Sequence, residues 1–153
     1  IAIPSGPVVH AEGSVRTNFD ALNTYEVNRE GSKVAVLALG DFYDLGEKTV
    51  EALSSTLGIE ATLVKPYFAS GVDQNLLDNL VKDHDVIVTI EDGIIEGGWG
   101  QNIASYLGTS SARVLNYGVK KAFYDRVNIA NLMRESHLDP ELIAADIKQV
   151  LGM

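Results

Sequence analysis

The sequence predicts an α/β layer fold built on a mostly parallel sheet, and three observations point to it. From Lys33 onward, short continuous apolar runs alternate with amphipathic stretches. The amphipathic stretches space their apolar residues for a helix, and acidic or glycine residues mark their ends. Three strand–helix units in series need right-handed crossovers, which leave the strands parallel.

The elements follow in order. Residues 1–23 hold Pro4, Gly6, Pro7 and Gly13 among small and polar residues, show neither period, and read as a linker arm ahead of a domain at 24–153. The segment TYEV (24–27) is a candidate edge strand. KVAVLALG (33–40) is rich in Val and Leu, as a strand covered on both faces should be. Asp44 is expected to cap the next helix with Glu47 three residues on. That helix buries Leu45, Thr49, Leu53 and Leu57 and stops at Gly58.

IEATLVKP is the second such strand, followed by a helix capped by Asp73 with Leu76, Leu77, Leu80 and Val81 inward. DVIVTI is the third, with a helix from about Gly98 burying Trp99, Ile103 and Leu107. ARVLNYG is the fourth. Helices are expected over 125–135 and after Asp139, where Pro140 takes the first helical position and Ile143, Ile147, Val150 and Leu151 share a face.

At 153 residues and 46% hydrophobic, the chain suits one domain with a substantial core. Its formal charge of −9, from 12 Lys and Arg against 21 Asp and Glu, argues against nucleic acid and anionic membrane as partners. The absence of cysteine removes disulfides, thiolate zinc sites and a cysteine nucleophile. No apolar run approaches the ~20 residues of a membrane span, so a soluble, cytoplasmic protein is the expectation. The start at Ile1 suggests a piece of something longer.

One stretch concentrates chemistry. EDGIIEGGWG, Glu91 to Gly100, holds three carboxylates, four glycines and the only tryptophan. As a phosphate cradle it is poor: Gly93, Gly97, Gly98 and Gly100 match no nucleotide-loop spacing, and no lysine or arginine accompanies them. A divalent-metal or acid/base site could use Glu91, Asp92 and Glu96 with Asp41 and Asp44. The preferred reading is structural. Gly97-Gly98 would permit a tight strand-to-helix turn through positive φ and a missing Cβ, with Trp99 as an aromatic anchor.

His10, His84 and His137 form no metal-ligand pattern, and His84 fits a polar cap at a helix C-terminus. Ser54-Ser55 and Ser110-Ser111 lack a nucleophile elbow. Tyr106, Tyr117, Phe123 and Tyr124 read as packing or interface residues.

As a set, several motifs resemble the C-terminal domain of the transketolase-like, thiamine diphosphate-dependent enzymes, over roughly Tyr25 to Met153. They are a strand ending at Gly40, Gly58-Ile59 opening the next strand, the turn from Pro66 to Asp73 with Tyr67-Phe68, His84-Asp85, and Glu91-Asp92-Gly93 before Gly97-Gly98-Trp99-Gly100. Within the family the chain is most similar to the 1-deoxy-D-xylulose-5-phosphate synthase branch, through HDVIVTIEDG and VLNYGVKKAFYDR. Transketolase proper and the 2-oxo acid dehydrogenase beta subunit are the alternatives, although the latter's D-V-P-V-P segment is missing. A stand-alone small-ligand or cation-binding α/β module is the alternative of another class.

The resemblance implies a three-layer α/β/α sandwich around a five-stranded mixed sheet, strand one antiparallel. It implies a transferase that moves a two-carbon unit from pyruvate to glyceraldehyde 3-phosphate for isoprenoid synthesis. Thiamine diphosphate and Mg²⁺ would be held by preceding domains, with none in this fragment. Partners would be those preceding domains and a second subunit in a homodimer. The fragment would be inactive alone and support assembly, with no catalytic, cofactor or metal residues and with Glu91, Asp92, Gly97, Gly98, Trp99, Tyr67, Phe68 and Phe123 structural or at interfaces. Departures include the changed Arg and Lys of the Tyr67-Phe68 turn, Lys120-Lys121 where the pattern has Pro-Asp, and no arginine before Arg16 to meet a substrate phosphate.

Overall fold

The computed structural model describes residues 16–21 and 23–153, so most of the expected linker arm, His10 included, lies outside the described residues. Five strands form one sheet: β1 (Glu26–Arg29), β2 (Lys33–Ala38), β3 (Thr62–Lys65), β4 (His84–Ile94) and β5 (Arg113–Val119), in spatial order β1-β3-β2-β4-β5. β1 runs antiparallel to β3, and the other pairs are parallel. The helices are α1 (Tyr43–Leu57), α2 (Gln74–Asp83), α3 (Trp99–Tyr106), α4 (Ile129–Glu135) and α5 (Pro140–Leu151).

The layers follow from the alternation of the strands. Val34, Val36 and Ala38 of β2 and Val86, Val88 and Ile90 of β4 face α1 and α5, whose Leu53, Ile143 and Ile147 are fully buried. Ala35, Leu37 and Ile87 face the other way, onto Leu77 of α2 and Trp99 and Ile103 of α3. The three-layer sandwich with one antiparallel strand is therefore present.

Four local expectations are corrected. The edge strand starts at Glu26, because the Tyr25 N–H leaves the ladder to donate to Asp73 Oδ2 at 2.9 Å. Asp44 does not cap α1. A 3₁₀ turn over Gly40–Phe42 leads straight into the helix, and Asp44 sits in its first turn against Lys48. The helix expected from 125 starts at Ile129, since Arg126 has φ +50 and the Asn128 side chain caps by accepting from the Asn131 N–H. β4 runs on to Ile94, so Glu91-Asp92-Gly93 is strand and not loop.

Other signals read true. Asp73 accepts from the Leu76 N–H, Asp139 accepts from Glu141 and Leu142, and Gly58 closes α1 at φ +64. His84 is the C-cap of α2 and is buried. Its Nδ1 lies 2.8 Å from the Leu80 carbonyl and its Nε2 2.7 Å from Thr62 Oγ1, which itself accepts from the Gly31 N–H. A carbonyl can only accept, so Nδ1 donates to it, and in the neutral ring the Thr62 hydroxyl donates to Nε2. One side chain thus ties α2 to β3 and to the turn before β2.

A carboxylate cradle at the carboxyl end of the sheet

In an open α/β sheet the ligand position lies beyond the strand carboxyl ends, where the strand order reverses, facing a helix N-terminus. Here that position falls between β2 and β4, and α3 presents its first amides beside it. It is filled by the chain itself. Glu91, only 6% exposed, places Oε2 3.0 Å from the Trp99 N–H and Oε1 2.8 Å from the Gly100 N–H. Among the described residues the partners of this carboxylate are backbone amides, and the positive end of the α3 dipole supports it.

The glycines of the motif make room for that side chain. A Cβ at Gly98 would lie 2.6 Å from Glu91 Oε1 and 2.5 Å from the Ile94 carbonyl. One at Gly100 would lie 3.2 Å from the same oxygen, and ones at Gly93 and Gly118 would each come within 3.5 Å of the Glu91 side chain. The two properties expected of Gly97-Gly98 are divided between them. Gly97 has the left-handed φ of +80 and open space around it, whereas Gly98 has φ −73 and the close approach.

Trp99 is 3% exposed inside this chain's own core, and its indole N–H donates to the Tyr25 hydroxyl at 3.0 Å. Tyr25 is in turn held by Asp73. Tyr67 and Phe68, after β3, are half-buried and meet Phe19 edge-on with centroids at 6.2 and 6.1 Å. Tyr67 donates to Glu26, and Lys65 lies over the rings of Tyr43 and Tyr67. Phe123 is 96% exposed.

The acidic residues do not gather into a metal site. Asp92 is exposed, Glu96 accepts from the Lys121 N–H at 2.8 Å, Asp44 pairs with Lys48 and Glu91 is enclosed. Among the described residues no three of His, Asp and Glu are grouped to hold an ion. These residues do not fit Mg²⁺ or a diphosphate, because the α3 amides that could receive an anion are already used. Arg16 is equally committed. Its guanidinium donates to the carbonyls of Asn18, Ala21 and Thr24 at 2.7–2.9 Å and lies over Phe19 and Tyr67.

Sequence reasoning missed the Tyr25–Trp99 bond, the Thr62–His84 relay and the Arg16 clasp, all of which join residues far apart in the chain or in irregular segments. Asp73 and His84 carried a signal, each as a helix cap and not for its longer-range bond.

The model of the transketolase C-terminal domain family matches residues 23–143. The chain belongs to the transketolase C-terminal domain family. Among curated relatives, a 1-deoxy-D-xylulose-5-phosphate synthase from Pseudoalteromonas translucida is 34% identical over 99% of this chain and 24% of its own length. Another from Thermomicrobium roseum is 31% identical over 78% of the chain and 19% of its own. The domain thus spans about a fifth to a quarter of the length of those relatives.

Among solved structures, a split-gene transketolase described as an inactive β4 tetramer superposes with a TM-score of 0.77 at 23% identity, over 90% of this chain and 44% of that one. A transketolase variant from Pichia stipitis gives 0.58 at 15%, over 83% and 18%. No helix among the described residues is long and apolar enough to cross a membrane.

Proposed function

We propose that this chain is the C-terminal domain of a 1-deoxy-D-xylulose-5-phosphate synthase, a thiamine diphosphate-dependent transferase joining a two-carbon unit from pyruvate to glyceraldehyde 3-phosphate in isoprenoid precursor synthesis. The observation that carries this reading is likeness to synthases along nearly the whole chain, at 34% identity. Likeness to transketolases at 15–23% identity speaks for the fold alone and does not favour transketolase proper.

The domain supports catalysis without performing it. The α3 N-terminus, which could receive an anion, carries Glu91 instead, and a domain with that position filled by its own side chain serves assembly. Thiamine diphosphate and Mg²⁺ belong, on this reading, to preceding domains of the full-length enzyme, and no residue of this chain takes a step of the transfer. Partners are those domains and a second subunit in a cytoplasmic homodimer.

Synthase turnover tests this, measured with pyruvate, glyceraldehyde 3-phosphate, thiamine diphosphate and Mg²⁺ on the chain alone and on the chain replacing the matching quarter of a synthase relative. Turnover in the chimera alone is the expected result. Turnover by the isolated chain, or a chimera that assembles without turnover, would overturn the assignment.

A further inference from the structure

The longest run of exposed residues on the described surface follows β5. Every residue from Lys120 to Asn131 is exposed, including Phe123 at 96%, Ile129 at 73% and Val127 at 43%. Large apolar side chains left this exposed within one short segment are candidates for a contact surface.

The base of the segment is anchored. Beyond the end of β2, β4 and β5 continue as a two-stranded ribbon in which Ile94 pairs with Val119. The Ile95 N–H donates to the Val119 carbonyl at 2.9 Å, the Lys121 N–H donates to Glu96 at 2.8 Å, and the Tyr124 hydroxyl donates to the Lys120 carbonyl at 2.8 Å. The acidic stretch that suggested a ligand site therefore holds the root of an apolar projection.

Charge indicates what covers it. Residues 120–134 contain Lys120, Lys121, Arg126 and Arg134, four of the chain's 12 basic residues, but only Asp125 of its 21 acids. An apolar and cationic arm is complementary to an acidic surface, and the rest of this chain is strongly acidic.

We propose that residues 120–129 form an arm that docks on the acidic surface of a second copy of this chain, with Phe123 and Ile129 buried in the contact. This deepens the homodimer reading above by naming the surface that makes it.

Sedimentation velocity of the chain over a concentration series tests it without substrate or cofactor. The wild-type chain should self-associate, more weakly in high salt. Phe123→Ser with Ile129→Ser should weaken association by tenfold or more, the change expected for losing about 1.4 kcal/mol or more of apolar burial. Lys120→Glu with Lys121→Glu should weaken it while circular dichroism and the thermal midpoint hold. Because the chain has no cysteine, Phe123→Cys carrying a photo-cross-linker should be captured by acidic segments of the second copy. A chain that stays monomeric throughout, or associates equally well with the arm altered, would overturn the proposal. A monomeric chain alongside an active chimera would sink the arm alone; an associating chain with an inactive, assembled chimera would sink the synthase reading alone.

Discussion

Glu91 shows how one side chain can decide what a site is for. Replacing it by glutamine turns an amide NH₂ toward the Trp99 or Gly100 N–H, leaving a buried donor unpaired at a cost of about 1–3 kcal/mol. Alanine orphans both donors and leaves a void, for on the order of 2–5 kcal/mol. Urea unfolding should rank the two variants in that order, and two melts matching wild type would remove the cradle as a stabilising device.

The paired glycines give a sharper ranking. Gly97→Ala costs about 1 kcal/mol through its φ of +80. Gly98→Ala costs more despite its ordinary φ, because its methyl collides with the Ile94 carbonyl and the Glu91 carboxylate. Thermal midpoints that fell equally, or fell further for Gly97, would contradict this division of roles.

A third residue-level effect is pH dependence. Burial pushes the Tyr43 phenol up to about 12, helped by the charges of Glu47 and Glu26, and burial with the Glu26 hydrogen bond does the same to Tyr67. The folded protein holds these protons above the ordinary value of 10.0, so their stabilisation is complete below pH 10 and is lost as pH climbs towards about 12. Alkaline titration of tyrosine absorbance with urea melts across that window should show late-titrating phenols and falling stability. Stability flat over that window would refute it.

At the scale of elements, α3 is held at its start by the cradle and along its side by Trp99. Trp99→Phe should lose about 1 kcal/mol with the Tyr25 bond, and Trp99→Ala about 3–5 kcal/mol. Wild-type stability in Trp99→Phe would show that the indole N–H contributes nothing.

Elements that bury one face and carry their own caps were legible in the sequence: α2 behind Asp73 and α5 behind Asp139 and Pro140. Those set by distant partners were not. The start of β1 depends on Asp73, 48 residues away, and the length of β4 depends on Val119. The Asp44 cap failed because a glycine turn started the helix earlier than any side-chain acceptor could. The glycines and Glu91 were each visible, but alternation alone does not reveal that four glycines line one glutamate side chain.

For the whole molecule, serial strand–helix units predicted the parallel sheet, whereas the antiparallel β1 followed only from the family resemblance. A four-residue edge strand is too short to show a period of its own. Two opposite tendencies now meet at the carboxyl end of the sheet. The position where such folds take ligands is closed by Glu91, and the ribbon beside it leads to the exposed segment around Phe123. Both favour a domain that meets other protein surfaces over one that binds small molecules.

Thermal denaturation of the chain in increasing Mg²⁺ and thiamine diphosphate, together and separately, tests that claim most directly. With the α3 amides already satisfied and the acids dispersed, the midpoint should not move. A saturable rise, which a ligand bound to the folded state must produce, would show that this domain has a ligand site of its own and contradict the supporting role.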